Sequence, residues 1–342
     1  MPEITVAITS HNLEQYITQC LDELLHQTYQ DFEILVYDDC STDRTREILK
    51  QYQTQHTDKI HVILGEHPLG SPARSRNAVL DSHLISGRYL VFLDGDDSIQ
   101  LDYLEQLHTA AVQTGAEITL CAYDRFEYET GHVLCQEMLG FPYEISLPVE
   151  NDILAFINGS LWNKLILVSI IGETRIPDFK VGEDLSFQLD LFNSCHKIAC
   201  IDKILIHYRV RAGSIISNTQ EETIYAFGNQ LKNIWRQTEY QWLKDTVALV
   251  AFIHIGISMT SRAYDNPDID RKRVFEWVNQ YFSDCFGWFR DNRWFRFSSL
   301  KHRGIKGIGI WVAKICYRIH CFPLFLWAYK TLTKILHIDI KF

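Results

Sequence analysis

The cysteines of this chain form none of the patterns that hold a zinc ion or a disulfide framework. The 342 residues include nine cysteines, which is an odd number, and no C-x-x-C pair occurs among them. Zinc ribbons and small disulfide-stapled domains space their cysteines regularly and in even numbers. The distribution therefore indicates reduced thiols in a cytosolic protein.

Long uncharged runs and a leader-type N-terminus are also missing. The first residues pass directly into a strand-like run, without the basic stretch, apolar segment and cleavage site of a secretory signal, so we expect a protein that is not exported. Residues 247–261 carry no charged side chain. A membrane-spanning helix needs about 20 apolar residues, so this shorter stretch predicts a buried helix.

Several familiar enzyme motifs do not occur. The chain has neither G-x-x-x-x-G-K-[ST] nor G-x-G-x-x-G, and it lacks H-E-x-x-H and G-x-S-x-G. These absences argue against a P-loop nucleotide hydrolase, a dinucleotide-binding enzyme, a zinc protease and an α/β-hydrolase.

Apolar runs typical of buried strands alternate with segments of helical periodicity over the first 123 residues. The strands are predicted at 4–8, 32–36, 60–64, 89–93 and 118–123, and helices between them after Asn12, after Ser41 and Thr42, at 73–84 and at 101–113. Asn12 is the predicted N-cap of the first helix. This alternation predicts an α/β fold with a mostly parallel sheet covered by helices on both faces, whose ligands lie beyond the carboxyl ends of the strands.

Later segments are less regular. Periodicity is lost from 124 to 148, which predicts a long loop or small subdomain, and it returns with a helix from near Asp184 and a strand at 198–206. We predict a catalytic domain at 1–215 and a helical C-terminal region at 216–342. The irregular segment is expected to form part of the wall of a substrate pocket.

The C-terminal tail, about 290–342, differs in charge from the rest of the chain. It carries eleven lysines and arginines and two acids, whereas the whole chain has a net charge of −10. Large apolar residues alternate with these cations. One interpretation is a helix pair in the interface of an anionic membrane, and the other is a helical bundle that packs on the core with a solvated basic face. The apolar interleaving argues against a nucleic-acid partner.

Two groups of carboxylates follow predicted strands. Asp38 and Asp39 end the second strand, and Asp94-Gly95-Asp96-Asp97 follows the strand at 89–93. Neighbouring carboxylates repel one another and raise their pKa values unless a cation is present, and Mg²⁺ or Mn²⁺ typically takes one or two carboxylates together with substrate phosphates. A polar turn is the alternative interpretation of Asp-Gly-Asp-Asp.

Several ordered motifs together resemble the inverting family 2 glycosyltransferases of GT-A fold. They are Val6-Ala7-Ile8-Thr9-Ser10-His11-Asn12-Leu13-Glu14, Gln27-Thr28-Tyr29, Asp38-Asp39-Cys40-Ser41-Thr42-Asp43, Ala73-Arg74-Ser75-Arg76-Asn77 and Asp94-Gly95-Asp96-Asp97. The resemblance covers about residues 3–215 and implies the GT-A sheet. His11 and Ser75 stand where this family commonly has Tyr and Ala.

The resemblance implies a binding site for a nucleotide sugar and a metal. The residues that it assigns to the nucleotide sugar are Thr9, Glu14, Asp39, Arg76 and Asp94. Asp96 is the implied ligand of Mn²⁺ or Mg²⁺, and Asp97 is a second candidate. A structural role, capping or bridging between loops, is the alternative for Thr9, Glu14 and Arg76.

Three later motifs extend the resemblance. Trp162-Asn163-Lys164 is similar to the family's W-N-K segment, and Glu183-Asp184 to its E-D motif. Asp184 is implied as the catalytic base, with Trp162, Lys164 and Glu183 binding the acceptor. The alternatives are a buried aromatic for Trp162 and two acids favoured by a helix start for Glu183 and Asp184. The stretch 207–214 is similar to the family's Y-R-x-R-x-x-S ending, which makes His207 a further candidate metal ligand.

These implications define one reaction. The expected enzyme transfers a single sugar from a nucleotide-diphospho-sugar, with UDP as the expected base, to a lipid-linked acceptor of a growing surface glycan, at the inner face of the plasma membrane. The processive members' Q-x-x-R-W motif is missing. The alternatives are a sugar-nucleotide nucleotidyltransferase, which needs a Gly-rich, Lys-bearing loop after the first strand, and a degenerate glycan-binding or scaffold protein.

Overall fold

The structure is a computed structural model, and it describes residues 1–127, 130–210, 220–289 and 292–336, with no side chains described at 288 and 332–336. The chain divides into two compact units. One comprises Met1–Pro148 and Asn158–Ser214, and the other comprises Val149–Ile157 and Ile215–Phe342. The chain therefore leaves the first unit at Val149 and returns to it at Asn158. The sequence predicts only a single boundary, at residue 215.

Within the described residues, ten strands form one sheet. They run in the order β3-β2-β1-β4-β9-β6-β10-β5, with β7 beside β6 and β8 beside β10. Their bounds are β1 Ile4–Ser10, β2 Phe32–Asp38, β3 Ile60–Leu64, β4 Tyr89–Asp94, β5 Ser98–Ile99, β6 Ile118–Glu127, β7 Val133–Glu137, β8 Glu144–Ser146, β9 Lys164–Leu167 and β10 Lys197–Val210.

The four strands β3, β2, β1 and β4 are parallel, as the sequence predicts. Every residue of β2 is buried, because a parallel strand in the middle of a sheet is covered on both faces. The short strand β9 then lies antiparallel between β4 and β6, and β6 pairs with β10 in parallel. The sheet is the predicted Rossmann-like α/β architecture with an antiparallel strand inserted.

Over the described residues of the same unit there are six helices. They are α1 Ile17–Leu25, α2 Thr45–Gln55, α3 Pro72–Asp81, α4 Tyr103–Thr114, α5 Val168–Ile171 and α6 Glu183–Leu191. The start of α3 follows local chemistry, since the Ser71 side chain accepts a hydrogen bond from the Arg74 amide and Pro72 occupies the first turn.

One local prediction is wrong, and another is wrong in one of its two alternatives. Asn12 is not the N-cap of α1, which begins only at Ile17, and its backbone is left-handed with φ +54°. Its side-chain oxygen instead accepts a hydrogen bond from the Thr42 amide, 2.8 Å away. The segment 124–148 is not an irregular loop throughout, because β6 extends to Glu127 and the strands β7 and β8 follow. Most residues of those two strands are exposed. Their sequences therefore do not alternate between apolar and polar residues, which is the pattern that predicts a strand.

The second unit is helical where the structure describes it. Its longer elements are α7 Glu221–Gln237, α8 Gln241–Ala251, a π-helical segment Phe252–Met259, α9 Thr260–Asp265, α10 Arg271–Phe286, α11 Phe297–Leu300, α12 Gly304–Arg318 and α13 Phe322–Leu336. The inserted segment contributes a short 3₁₀ helix, Ile153–Phe156.

The helical run Gln241–Asp265 is long and apolar enough to cross a membrane by length and composition. However, 78% of its most apolar stretch is buried inside the structure, as in the core helix of a globular protein. Phe252, in the middle of this run, packs against Phe282, Phe289 and Tyr317. The sequence prediction of a buried helix at 247–261 is confirmed.

The tail packs within this helical unit. The Tyr317 hydroxyl on α12 donates to the Gly256 carbonyl over 2.6 Å, and the ring of Tyr317 stacks on Phe322 with centroids 4.0 Å apart. Lys330 on α13 donates to the Ser261 carbonyl. A cavity of about 400 Å³ lies beside Tyr317, and Arg271 and Lys272 are among the residues that line it.

Candidate active site

The carboxyl ends of β1, β2 and β4 bring two of the predicted residues side by side. Thr9 on β1 is the register partner of Asp94 at the end of β4, and the neighbouring strand β2 ends at Asp38. Both Thr9 and Asp94 are partly exposed. This edge of the sheet is where a parallel α/β fold places its ligand.

Asp39 holds a loop at the same edge. One oxygen of its carboxylate accepts a hydrogen bond from the Leu69 amide at 2.6 Å and the other from the Gly70 amide at 2.9 Å. Gly70 has φ +73°, a backbone conformation that favours glycine. Each carboxylate oxygen can accept a further bond, but Asp39 is buried, with 6% of its surface exposed. Its contact with a nucleotide stays a prediction.

Glu14 lies in the turn before α1 rather than on the helix. Its carboxylate accepts a hydrogen bond from the Arg44 amide at 3.0 Å, and its own amide donates to the Asp43 carboxylate at 3.1 Å. These bonds join the turn after β1 to the start of α2, which is the bridging role that the sequence left open as an alternative.

Arg76 joins two carboxylates that come from different parts of the chain. Its guanidinium donates from Nη1 to Oδ1 of Asp184 and from Nη2 to Oδ1 of Asp94, each over 2.7 Å. Only 4% of the Arg76 side chain is exposed, and the two carboxylates raise its pKa above the usual value. Arg76 was predicted to approach the nucleotide, and the structure gives it a bridge between Asp94 and Asp184.

Glu183 and Asp184 begin α6, directly after Gly182, whose φ is +93°. Burial raises the pKa of Asp184, and Asp94 adds to that effect, while Arg76 and Lys164 act against it. Burial and the adjacent Asp184 raise the pKa of Glu183 to about 7. Two acids whose pKa values are shifted upward at one helix start are typical of a proton-transfer site.

Lys164 does not fit its predicted role of binding the acceptor. Its ammonium group is buried and donates to the carbonyl oxygens of Asn158 and Ser160 and to the side-chain oxygens of Asn158 and Asn163. Burial lowers the pKa of Lys164 to about 7, and Asp184 opposes that shift. The side chain therefore supports the loop 158–163 from inside.

The loop supported by Lys164 touches the first turn of α6. A Cβ added at Gly159 would lie 2.4 Å from Cβ of Leu185, the residue that follows Asp184. No real side chain approaches another so closely, so glycine is needed at 159. The close contact fixes where α6 begins and thus where Glu183 and Asp184 lie.

Trp162 is a buried aromatic, with 5% of its surface exposed. Its ring stacks on Tyr208, with centroids 5.4 Å apart, and meets Tyr123 edge-on at 4.6 Å. The structure thus favours the alternative interpretation of Trp162, a buried aromatic, and not a surface on which a sugar stacks. Arg125 lies over the Tyr208 ring and pairs with Glu137 on β7 at 2.7 Å.

The carboxylates after β4 differ in their surroundings. Asp97 is buried, and one of its oxygens accepts a hydrogen bond from the Arg209 amide at 3.1 Å. Its other oxygen, Oδ2, is buried without a hydrogen-bond partner among the described residues. Burial, then Asp94 and Asp96, raise the pKa of Asp97. An orphaned buried carboxylate oxygen beside two further carboxylates fits a divalent cation with oxygen ligands.

His207 is engaged at both ring nitrogens. Nδ1 lies 2.8 Å from Oδ1 of Asp124, and Nε2 lies 2.6 Å from the Gln100 side-chain amide. The described conformation therefore offers no free ring nitrogen for the predicted metal role. Over the part of the chain that the structure describes, no three His, Cys, Asp or Glu side chains converge as a metal site. The predicted loop 211–214 lies outside the described residues.

Two contacts of this unit were missed by sequence reasoning. Asp178 accepts hydrogen bonds from Ser71 and Arg74 at the start of α3, and Asn77 exchanges two hydrogen bonds with the backbone of Ile176. They hold the segment before α6 against the helix that carries Arg76. Asn77 lies within the motif Ala73-Arg74-Ser75-Arg76-Asn77, but nothing in the sequence indicates its partner.

Comparison with known proteins places the chain in a family. The model of the family described as "Glycosyl transferase family 2" matches residues 5–161. The putative teichuronic acid biosynthesis glycosyltransferase TuaG of Bacillus subtilis is 30% identical over 217 residues, which are 64% of this chain and 82% of TuaG. Glycosyltransferase GlyA of Streptococcus pneumoniae is also 30% identical, over 66% of this chain, but the chain spans only 33% of GlyA.

Solved structures show the same fold. Residues 1–349 of Staphylococcus aureus TarS, in complex with UDP-GlcNAc, superpose with a TM-score of 0.73 at 20% identity, covering 93% of this chain and 92% of that one. The mannosyltransferase PcManGT from Pyrobaculum calidifontis, in complex with GDP-Man and Mn²⁺, gives a TM-score of 0.54 at 12% identity over 99% and 88% of the two chains. With this GT-A fold, its family match and its relatives, the chain belongs to glycosyltransferase family 2.

Proposed function

We propose that this glycosyltransferase transfers one sugar, with inversion, from a UDP-sugar to a hydroxyl group of a lipid-linked surface glycan. The contact between Arg76, Asp94 and Asp184 carries this proposal. A transferase needs a base beside the donor site, and one guanidinium here holds the candidate base Asp184 next to a carboxylate at the carboxyl edge of the sheet.

In the proposed reaction, Asp184 takes the proton of the acceptor hydroxyl as its oxygen attacks the anomeric carbon. The bond from that carbon to the diphosphate oxygen breaks, and the nucleoside diphosphate leaves from the opposite face of the sugar. Arg76 is bonded to Oδ1 of Asp184, so we assign Oδ2 as the oxygen that accepts the proton. The positive charges of Arg76 and Lys164 favour the ionised form of Asp184 that this step requires.

The other predicted residues bind and orient. Thr9 and Asp39 face the nucleotide, and Glu183, with a pKa of about 7, lies beside the base where it can orient the acceptor hydroxyl. Asp96 and Asp97 would hold Mg²⁺ or Mn²⁺, which when bound offsets the negative charge that develops on the departing diphosphate.

The donor and acceptor classes rest on relatives. TarS binds UDP and UDP-GlcNAc in its solved complexes, and TuaG is named for teichuronic acid biosynthesis. A poly(ribitol-phosphate) beta-glucosyltransferase of Bacillus spizizenii is 24% identical over 80% of this chain. These names favour a bacterial surface polymer as the acceptor. A lipid-linked acceptor also accounts for the basic, apolar tail, because the tail would keep the enzyme at the cytoplasmic face of the membrane.

The variant Asp184→Asn tests the assignment of the base. We expect release of UDP from a UDP-sugar to fall at least ~100-fold, because a positioned general base contributes at least that factor. Calorimetry should show that UDP still binds. Asp190→Asn is the matched control, since Asp190 lies on the same helix and has its pKa raised to about 6 by burial alone.

Three outcomes contradict parts of the proposal. If the variant Asp184→Asn releases UDP from a UDP-sugar as fast as the wild-type enzyme does, Asp184 is not the base. Wild type that binds donor without transferring sugar favours a degenerate binding protein. Release of pyrophosphate from a nucleoside triphosphate and a sugar phosphate identifies a nucleotidyltransferase.

A further inference from the structure

Helix α12 has two apolar faces on opposite sides. Tyr317, Ile310 and Ala313 lie on the inner face and are buried within the helical unit. The outer face carries Ile305, Ile308, Ile315 and Ile319, of which 71%, 44%, 36% and 65% of the surface is exposed.

The exposed isoleucines form one continuous stripe. Successive residues of an α-helix are rotated by about 100°, so positions 305, 308, 315 and 319 fall within about 80° of its circumference. Val312 lies within the same arc and is half-buried. An apolar stripe along a whole surface helix is unusual, because scattered single residues are the normal form of apolar exposure.

The apolar surface continues onto α13. Leu324 and Trp327, one turn apart on that helix, are 65% and 56% exposed. Tryptophan combines an apolar ring with a polar N–H group, so it is favoured where one end of a side chain meets lipid and the other water. Ile319 and Leu324 flank the connection between the two helices, so the stripe and these residues share one end of α12.

The segment that carries this surface has charge of one sign. From residue 292 to residue 338 the chain has nine lysines and arginines and no aspartate or glutamate. Lys306 and Arg318 are exposed on α12 itself. The cavity that Tyr317, His320 and Phe322 line is also lined by two cations and one acid, Arg271, Lys272 and Glu276. A surface of this kind is complementary to an anionic bilayer.

A second copy of the chain fits the surface less well. In a symmetric dimer the same patch faces itself, so the lysines and arginines of the two copies would meet with no acidic partner from 292–338 between them. Lipid head groups that carry phosphate provide the missing negative charge.

We propose that the outer stripe of α12, together with Leu324 and Trp327, binds an anionic lipid bilayer and lies in its interface. The inner face of α12 keeps its packing, so binding requires no unfolding of the tail. This inference rests on the proposed membrane location of the enzyme, but it is independent of the chemistry assigned to Asp184.

Vesicle flotation of the full chain tests the surface. We expect wild type to float with mixed phosphatidylcholine–phosphatidylglycerol vesicles, less with phosphatidylcholine alone, and less as salt is raised, because salt screens the attraction between cations and lipid. The variant Ile305→Gln/Ile308→Gln/Ile319→Gln should bind the mixed vesicles at least ~tenfold more weakly, since apolar area enters the interface.

A matched control uses exposed apolar residues of the other unit. Leu84, Leu101 and Val112 are 51%, 57% and 55% exposed, and Leu84→Gln/Leu101→Gln/Val112→Gln should float as wild type does. Binding of UDP by calorimetry should be equal in all three proteins, which separates a lost membrane surface from a misfolded enzyme.

Three results would overturn the proposal. The first is that the wild-type protein binds none of the vesicles although it still binds UDP. The second is that the variant Ile305→Gln/Ile308→Gln/Ile319→Gln floats with the vesicles as the wild-type protein does. The third is a dimer, measured by light scattering, that the stripe variant converts to a monomer without changing vesicle binding. That result would assign the stripe to a second copy of the chain.

Discussion

At the scale of single residues, the buried guanidinium of Arg76 opposes the effect of burial on the pKa of the proposed base. Asp94 and Asp184 are hydrogen-bonded to the same side chain, and without it the two carboxylates would have no cation between them. Like charges at such a distance raise each other's pKa, so one carboxylate would take up a proton. Arg76 therefore favours the ionised form of Asp184.

The variant Arg76→Gln should lose activity at neutral pH and regain part of it as pH rises. Arg76 lowers the pKa of Asp184, so its removal raises that pKa further and increases the fraction of the base that is protonated at neutral pH. Breaking a buried ion pair also costs about 3 kcal/mol of the free energy of unfolding. Urea unfolding and the pH dependence of kcat/KM measure the two effects.

Arg74→Gln is the control on the same helix. Arg74 pairs with Asp178, but the two side chains are 56% and 40% exposed, so its removal should cost less than about 1 kcal/mol and leave the pH profile unchanged. If Arg76→Gln keeps the wild-type pH profile and only weakens donor binding, Arg76 is the nucleotide-binding residue that the sequence implies.

The sequence identifies the candidate residues better than their contacts. The residues Arg76, Asp94 and Asp184 are each in a motif of their own, but their separation along the chain hides the single guanidinium that joins them. Lys164 was assigned to the acceptor because its motif resembles that of the family, whereas burial of the ammonium depends on how the loop 158–163 folds around it. Roles set by burial need the three-dimensional structure.

At the scale of elements, the loop 158–163 sets the position of α6. Lys164 holds the loop from inside through hydrogen bonds to Asn158, Ser160 and Asn163, and Gly159 touches the first turn of the helix. The two acids of the proposed site are carried by that turn. Small shifts of the loop are therefore expected to move the base.

The variant Gly159→Ala should lower kcat by at least ~tenfold while donor KM changes little, because displaced catalytic groups lose rate steeply with distance. The added methyl group would meet Leu185 Cβ at 2.4 Å and its Cα at 2.8 Å, so α6 or the loop must move. Overpacking of this kind costs about 1–3 kcal/mol of stability. Steady-state kinetics and thermal unfolding measure both changes.

Gly115→Ala separates displacement from loss of stability. Gly115 ends α4 with φ +68° and has no atom within 4 Å of an added Cβ, so alanine is strained there without touching α6. We expect about 1 kcal/mol of destabilisation and an unchanged kcat. Equal kinetic effects of the two variants would mean that the loop does not position the base.

Periodicity predicts the buried elements well and the exposed ones poorly. The strand β3 has the predicted bounds 60–64, and β1, β2 and β4 each extend the prediction by one or two residues, because a buried strand is a continuous apolar run. The antiparallel strands β7 and β8 were missed, since their exposed positions tolerate polar residues. The position of β9 between β4 and β6 depends on tertiary packing, and no local sequence pattern encodes it.

At the scale of the whole molecule, the chain passes three times between its units. The inserted segment Val149–Ile157 belongs to the helical unit, where Val149, Ile153 and Leu154 are buried. Within that unit Arg303 pairs with Asp152 at 2.8 Å, and its guanidinium lies over the ring of Phe156. A single cut near residue 215, as the sequence predicts, would therefore leave this apolar segment without its partners.

The fragment 1–214 should consequently be poorly soluble, and the same fragment with residues 149–157 replaced by a Gly/Ser linker should be soluble and bind UDP. Each buried aliphatic side chain of the segment gives up roughly 1.5–3 kcal/mol when it is exposed, and exposed apolar clusters cause association. Gel filtration and calorimetry with UDP compare the two fragments. If both are equally soluble and bind UDP equally, the segment makes no essential contribution to the helical unit and the boundary lies where the sequence places it. If only the fragment with the linker behaves as a monomer, the catalytic unit folds without the helical unit, and residues 149–157 belong to the helical unit.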